Sequence, residues 1–336
     1  MRCSVTRIWF NHWFSTAYNI ISMIKQADSS VAVIGSNENE FTPYRIVCDE
    51  WYREPVLGED EYVDFCLSFC REHSIGIFMP RRNFLAISRR RQEFSDIGVK
   101  LMVDPYELIY PLNCKSEAYR LLSDCPEIEI PEHRIVTNAA QFAQAYGELK
   151  EHFDKVCFKF EEDEGGKSFR LIDNSRKGYP ALFKRQNTRM PYSDAFAAMS
   201  EVESFPKMIV MPYLPDDEVS VDCLNTASGL IMIPRIKGTT RTEQVVYPED
   251  ILNMCRAFHS RFPLDAPFNI QFKYLRGVPY FLEVNTRMSG GVQLACAASG
   301  VNIPYIAVSR LLGKELPWSI DKKEKYVTHV ETPVIF

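Results

Sequence analysis

The stretch Phe281-Leu282-Glu283-Val284-Asn285-Thr286-Arg287-Met288-Ser289-Gly290-Gly291 decides how this chain is read. Tyr280–Asn285 has the pattern of a short strand. A period of two places Glu283 and Asn285 on one face. A carboxylate beside an amide offers the hard oxygens that suit magnesium carrying nucleotide phosphates. Arg287 follows two residues later with a permanent positive charge. Gly290 and Gly291 then allow a tight turn into a helix. The same residues also suit an ordinary strand end with polar decoration, so the surrounding sequence must decide.

The segments before it strengthen the metal reading. Phe268–Tyr274 and Val278–Asn285 are predicted to form a hairpin across Leu275-Arg276-Gly277. In the simple register Gln271 faces Glu283, and Asn285 lies one pleat repeat beyond. Glu218–Leu224 alternates strictly, with Glu218, Ser220 and Asp222 on one face and Val219, Val221 and Cys223 on the other. Lys207–Leu214 and Gly229–Ile236 are further strands. Helices are predicted at Ile251–Phe262, Met288–Ala298 and Pro304–Leu312, and the last twenty residues as a polar turn and an edge strand. The result is a mainly antiparallel sheet backed by helices. Arg235, Lys237 and Arg241 cluster along it, either as a carboxylate-binding group or as a solvated edge.

The N-terminal third is different. Residues 2–10 and Ser30–Gly35 read as strands around a helix, Trp13–Lys25, for which Ser15 is a candidate cap. A helix at Asp60–His73, a strand at Ile75–Met79, a helix at Asn83–Phe94 and a strand at Lys100–Val103 continue the alternation. Such βα repeats predict a parallel sheet. Arg7–Ser15 contains no glycine, which argues against a dinucleotide pyrophosphate at the first turn. Arg81 and Arg82 follow a strand's C-terminal end, where open α/β sheets bind ligands. They are read either as contacts to an acidic substrate or as the solvated start of a helix.

Pro111–Asn113 interrupts this pattern. Lys115 opens a helix, Ser116–Leu122, and Thr137 is the predicted cap of Asn138–His152. Cys157–Phe160 is an apolar strand carrying Lys159, which needs an anionic partner to offset desolvation. Asp163-Glu164-Gly165-Gly166-Lys167 then turns into Ser168–Ile172. A Gly-Gly-Lys turn between strands either folds over phosphates or is a plain hairpin. Gly178–Pro191 is a polar connection with Lys184, Arg185 and Arg189, and Ser193 is a candidate cap for Asp194–Glu203.

With 336 residues, the chain has room for two or three domains. The 46% hydrophobic and 25% charged content is that of a globular protein. A net charge of −5 gives no reason to expect nucleic acid. No apolar run nears the ~20 residues that span a bilayer. The ten cysteines are dispersed without a CxxC and read as reduced thiols. The expectation is a cytoplasmic protein without a membrane partner.

In the order of its elements the chain resembles the ATP-grasp superfamily, especially the branch similar to the carbamoyl-phosphate synthase large subunit. The strongest match is "FLEVNTRMSGG", preceded by "FNIQFKY" at 268–274. The resemblance implies an α/β plus α+β fold. Residues 1–112 would be a parallel-sheet lobe preceding the grasp. Residues 113–206 would be a linker and small lobe with the glycine loop, and residues 207–336 a C-terminal lobe with the metal site. It implies magnesium ligands at Glu283 and Asn285 with Gln271 assisting, and an arginine, Arg287, on the transferring phosphate. "CFKFEEDEGGKSFRLI", 157–172, resembles the lysine strand and phosphate loop, placing Lys159, Gly165, Gly166 and Lys167 on the polyphosphate. Lys115 corresponds to an earlier basic residue that reaches the phosphates.

"MIVMPYLPDDEVSVDCL", 208–224, resembles the adenine hinge, with Glu218 on the ribose. There the family's usual Gln-Glu reads Met211-Pro212, and Pro212 lacks an N–H, so Tyr213 and Leu214 take over the hinge contacts. The usual proline after the strand lysine is Phe160. A narrower resemblance, in length and lobe pattern, is to ATP-grasp proteins encoded beside tellurium-resistance systems.

What the resemblance implies is an ADP-forming ligase. ATP with two magnesium ions, or manganese in their place, would convert a small-molecule or peptide carboxylate into an acyl phosphate. An amine would then form an amide. Lys159, Lys167 and Arg287 would stabilise charge, Arg241 would sit near the substrate, and a homodimer is compatible with the pattern. The rival readings are an acyl-phosphate-forming kinase similar to carbamoyl-phosphate enzymes, a non-catalytic nucleotide-binding scaffold, and a dinucleotide enzyme built on the first lobe.

Overall fold

Ile8, Trp9 and Phe10 are each fully buried in the first strand. Burial on both faces is what a parallel sheet between two helix layers requires. The computed structural model describes residues 5–162, 166–176, 188–238 and 240–336. Gly165, Lys184 and Arg185 lie outside them. The chain divides into two compact units, Met1–Leu112 with Asp217–Gln271 and Val284–Phe336, and Asn113–Asp216 with Phe272–Glu283.

The first unit opens with β1 (Arg7–Asn11), α1 (Ala17–Ala27), β2 (Ala32–Asn37), β3 (Glu50–Arg53), α2 (Glu59–Glu72), β4 (Ile77–Met79), α3 (Phe84–Arg89), α4 (Arg91–Asp96), β5 (Lys100–Leu101) and α5 (Tyr106–Asn113). The strands pair in parallel in the order β3-β2-β1-β4-β5. Period two sorts their side chains. Ile8, Phe10, Ile77 and Met79 join Ala17, Ile20, Ile21 and Ile24 of α1 in one core. Trp9 points the other way and stacks on Phe78 at 4.1 Å and on Phe69 of α2 at 4.3 Å.

Several local predictions are corrected here. Thr16, not Ser15, precedes α1, and it makes no side-chain cap bond. The predicted helix Asn83–Phe94 breaks at Arg90 into α3 and α4. Pro111 does not end α5, which runs on to Asn113.

The second unit contains α6 (Lys115–Leu122), β6 (Arg134–Val136), α7 (Ala139–His152), β7 (Val156–Phe160), β8 (Arg170–Ile172), β9 (Arg189–Met190), α8 (Tyr192–Met199) and β10 (Met208–Pro212). The sheet order is β6-β10-β7-β8-β9. On β7, Val156 and Phe158 pack with Phe142, Ala145 and Leu149 of α7. Cys157 takes the opposite face, and period two places Lys159 with it. The cap of α7 is Asn138, which accepts the Gln141 N–H at 2.9 Å. Thr137 donates its N–H and hydroxyl back to the Gln141 side chain. Ser193 does not cap α8, because that helix already begins at Tyr192 behind Pro191.

The third sheet is ordered β15-β14-β11-β12-β13-β16. Its strands are β11 (Glu218–Thr226), β12 (Gly229–Lys237), β13 (Thr242–Val245), β14 (Phe268–Leu275), β15 (Val278–Asn285) and β16 (Lys325–Thr328), with α9 (Glu249–Arg261), α10 (Val292–Ser299) and α11 (Ile303–Leu311). The β14–β15 turn is tight because Arg276 and Gly277 both take positive φ, 52° and 81°. α10 begins later than predicted, at Val292, because Gly290 and Gly291 form a turn. Among the described residues no single helix is long and apolar enough to cross a membrane.

Gly35 shows how tightly the first sheet is filled. A Cβ there would sit 2.5 Å from Cys48 Sγ and 2.9 Å from the Trp51 ring. Gly35→Ala is expected to cost about 1–3 kcal/mol through overpacking. A urea midpoint equal to wild type would contradict that.

Candidate functional site

Lys115 begins α6, and its side chain is 10% exposed; Lys159 sits near the end of β7 and is 16% exposed. Both point at Glu283 Oε2, from 3.4 and 3.5 Å. The three positions are remote in sequence, and all lie in the second unit. Burial alone would raise the pKa of Glu283, but the two ammonium groups reverse this and hold it below the usual carboxylate value. Burial lowers the pKa of Lys159, and the neighbouring charge of Lys115 adds to it. Two cations against one anion make a positively biased cluster.

The support for this cluster was not visible in the sequence. Glu161 is buried, and it accepts the Ser116 N–H at 3.2 Å and the Cys114 thiol at 3.3 Å. Its own carbonyl receives Lys115 Nζ at 3.4 Å. The start of α6 is thereby tied to the end of β7. Tyr119, one turn on, donates to the Leu282 carbonyl at 2.9 Å, fixing the residue before Glu283.

On the same unit, Cys157, Leu171, Met211 and Leu214 form an apolar cluster with Phe169, Tyr213, Tyr280 and Leu282 around it. The Tyr213 N–H donates to the Lys155 carbonyl at 2.9 Å, so it serves the sheet. The hairpin expected around the phosphate loop is present, since β7 and β8 pair antiparallel. Gly166 takes φ +65°, and Lys167 is exposed. A cavity of about 450 Å³ in this unit, lined by Tyr146, Lys155, Ile172, Asp173 and Arg189 among others, contains none of the predicted site residues.

In the first unit the basic residues of β12 are not a solvated edge. Arg235 is 2% exposed. Its Nε donates to Asp222 at 3.0 Å, Nη1 pairs with Glu243, and Nη2 donates to Ser289 at 3.2 Å. Asn269 completes the set by donating to Ser220 and Asp222 at 3.0 and 3.1 Å. Burial would lower the Arg235 pKa, but the two carboxylates more than restore it. Lys237 pairs with Glu218, and Arg241 pairs with Glu331 on the surface. Arg235 is thus a structural ion, and the carboxylate-binding trio breaks apart.

The Arg235 group also shapes the turn after Arg287. The Gly291 N–H donates to Ser289 Oγ at 3.1 Å, and any Cβ on Gly291 would fall inside the Arg235 guanidinium. Gln271 reaches Asn269 at 3.5 Å from β14. Asn285 is half-buried at the end of β15. Among the described residues no three His, Cys, Asp or Glu side chains gather as a metal cage. In the second unit Glu283, held ionised, is a hard oxygen donor of the kind that magnesium takes.

The comparisons agree on the fold. Residues 204–333 match the family described as ATP-grasp in the biosynthetic pathway with Ter operon. The arginine-specific large chain of carbamoyl phosphate synthase from Geobacillus stearothermophilus is 22% identical over 93% of this chain. The chain spans only 29% of that relative's length. The MgADP- and bicarbonate-bound biotin carboxylase domain of Hydrogenobacter thermophilus 2-oxoglutarate carboxylase superposes with a TM-score of 0.69 at 15% identity, covering 94% of this chain and 72% of the other. The ADP complex of N5-carboxyaminoimidazole synthetase from Staphylococcus aureus gives 0.69 at 13% identity, covering 96% and 81%.

Removing the Arg235 charge should be costly, because Asp222 and Glu243 would stay behind unpaired. Arg235→Met is expected to lose about 3–5 kcal/mol in urea unfolding. A loss under about 1 kcal/mol would mean that the network is not a structural centre.

Proposed function

We propose that this chain, which has the ATP-grasp fold, uses ATP to convert a carboxyl group into an acyl phosphate. The observation that carries the reading is the convergence of Lys115 and Lys159 on Glu283. It is a positively biased cluster of the kind that a triphosphate would meet. In the step itself, a carboxylate oxygen attacks the γ-phosphorus, and the bond to the β-phosphate oxygen breaks with release of ADP.

Lys115 and Lys159 hold phosphate oxygens, while Gly165, Gly166 and Lys167 close over them. The apolar cluster around Met211 and Leu214, with Tyr213, receives the adenine, and Glu218 the ribose. Glu283, Asn285 and Gln271 would hold magnesium, which neutralises phosphate charge when bound. Arg287 stabilises the group in transfer. Arg241 is a weaker candidate for contacting the substrate carboxylate, given its exposed pairing with Glu331.

Two fates of the acyl phosphate follow. Attack by an amine would give an amide and phosphate, which is the reading that the sequence suggests first. The names of the similar proteins, a carbamoyl phosphate synthase and a biotin carboxylase domain bound to bicarbonate, favour acyl-phosphate formation without an amide product. The family match supports placing the chain with the Ter-associated ATP-grasp proteins. ADP release should be measured with a panel of carboxylates including bicarbonate, with and without added amines, and the product mass recorded. Release that needs a carboxylate but no amine selects the second fate. No release under any condition selects the non-catalytic scaffold.

Glu283→Gln tests the centre of this reading. It keeps the shape and removes the charge that magnesium and both lysines use. ADP formation is expected to fall about 100-fold or more. MgATP affinity should change less, and circular dichroism should show a folded protein. A magnesium titration indistinguishable from wild type would end the metal assignment.

A further inference from the structure

We infer that His12, backed by the buried carboxylate of Glu54, is a proton-accepting residue of the first unit that takes a proton from an amine substrate. Naming the amine rests on the acyl-phosphate reading above; the state of the imidazole does not.

Topology places the residue. β1 lies in the middle of its sheet, with β2 and β3 on one side and β4 and β5 on the other. The carboxyl end of β1 is therefore the switch point, where open α/β sheets bind ligands. His12 is the first residue beyond that end, and its backbone is left-handed, at φ 43°. A side chain larger than glycine is costly there and persists where its surroundings impose it. Here the His12 N–H is anchored to the Ser36 carbonyl and to Glu54 Oε1, both at 2.8 Å.

That backbone sets the imidazole against Glu54, the residue that follows β3. Nδ1 lies 3.8 Å from Glu54 Oε2. It is buried and makes no hydrogen bond among the described residues, whereas the side chain as a whole is 35% exposed. The Glu54 side chain is fully buried and also accepts from the Ser36 and Tyr62 hydroxyls, both at 2.7 Å. The other charges beside it are Arg82, from the loop after β4, which lies 4.0 Å from Oε2, and Glu38, beyond β2, which pairs with Arg82.

This arrangement selects a tautomer. An unprotonated Nδ1 would set its lone pair against those of a buried acceptor, whereas a protonated Nδ1 presents N–H to it. The free lone pair of the neutral ring then sits on Nε2, which makes no hydrogen bond among the described residues. A proton arriving at Nε2 creates positive charge beside a counter-ion already in place. Contacts of this kind are often long without substrate and tighten when it binds.

An ammonium group has such a proton to give. Its transfer to Nε2 leaves a free amine, whose lone pair attacks the acyl carbon. The C–N bond forms, the C–O bond to phosphate breaks, and the second amine proton leaves with the phosphate. His12 is then the catalytic base, and Glu54 the residue that positions it.

Two measurements on the full chain test this. The first is long-range proton–nitrogen NMR of the histidine rings, with His12 assigned by its absence in His12→Asn, since Asn tolerates the left-handed backbone. The Nδ1–H tautomer is expected, although free histidine prefers Nε2–H. The second uses the carboxylate that supports ADP release, with glycinamide as the amine or hydroxylamine in its place. Hydroxylamine is unprotonated at neutral pH and traps an acyl phosphate as a hydroxamate without a base. The ratio of amide to hydroxamate should fall about 100-fold in His12→Asn, and in the same direction in Glu54→Gln. His152→Gln, an exposed control, should keep the wild-type ratio. An Nε2–H tautomer in wild type overturns the inference, and so does a wild-type ratio in folded His12→Asn. Hydroxamate without any amide overturns it too. If neither product forms, the acyl-phosphate reading fails, and the tautomer alone upholds or overturns the proton-accepting site.

Discussion

One carboxylate shared by two lysines sets the character of the second unit. Unit charges about 4 Å apart attract by about 4 kcal/mol at an effective dielectric near 20. Withdrawing each ion from water costs several kcal/mol. With Lys115, Lys159 and Glu283 all largely shielded, the two effects are of similar size, so the cluster adds little to stability. What it does is hold a surplus positive charge in one place. Lys115 is held through Glu161 at the start of a helix, and Lys159 lies on β7, between β10 and β8. Donors fixed in advance need no reorganisation when an anion arrives.

The first unit contains the opposite arrangement. Arg235 is enclosed by two carboxylates, and Ser220, Asn269 and Ser289 fill the remaining hydrogen-bonding positions. That group is closed, with no cationic surplus to offer a ligand. Its effect on function is indirect. It sets the turn at residues 289–291, two positions beyond Arg287, and it requires glycine at 291. A stability defect there would therefore also move the residue proposed to act on the transferring phosphate.

How much of this was legible in the sequence depended on the range of the interaction. β15 was bounded correctly and β14 to within one residue at its end, because alternation and the Arg276-Gly277 turn are local signals. The α7 start was missed by one residue, because Thr137 and Asn138 are both good caps and the Gln141 side chain decides between them. The alternation of Ser220 and Asp222 was plain, but polarity alone cannot tell a wet face from one closed over a buried arginine. Lys159 announced itself as a charge on an apolar strand. Its partner Glu283 stood out for another reason, and only the fold brings the two together.

The first lobe shows why topology and chemistry must be argued separately. Its strand order is that of a dinucleotide half, yet its first turn has no free amide cradle. The His12 N–H donates at 2.8 Å to both the Ser36 carbonyl and Glu54 Oε1, and the Trp13 N–H donates to the Tyr44 hydroxyl at 3.2 Å. Glu54 in turn accepts from Ser36 and Tyr62, so the backbone amides and the carboxylate at the floor of the crevice are already engaged. A pyrophosphate bound there would need those amides and would meet the buried carboxylate of Glu54. The switch point thus keeps its place in the topology, while the amides that a pyrophosphate would need are already engaged within the lobe.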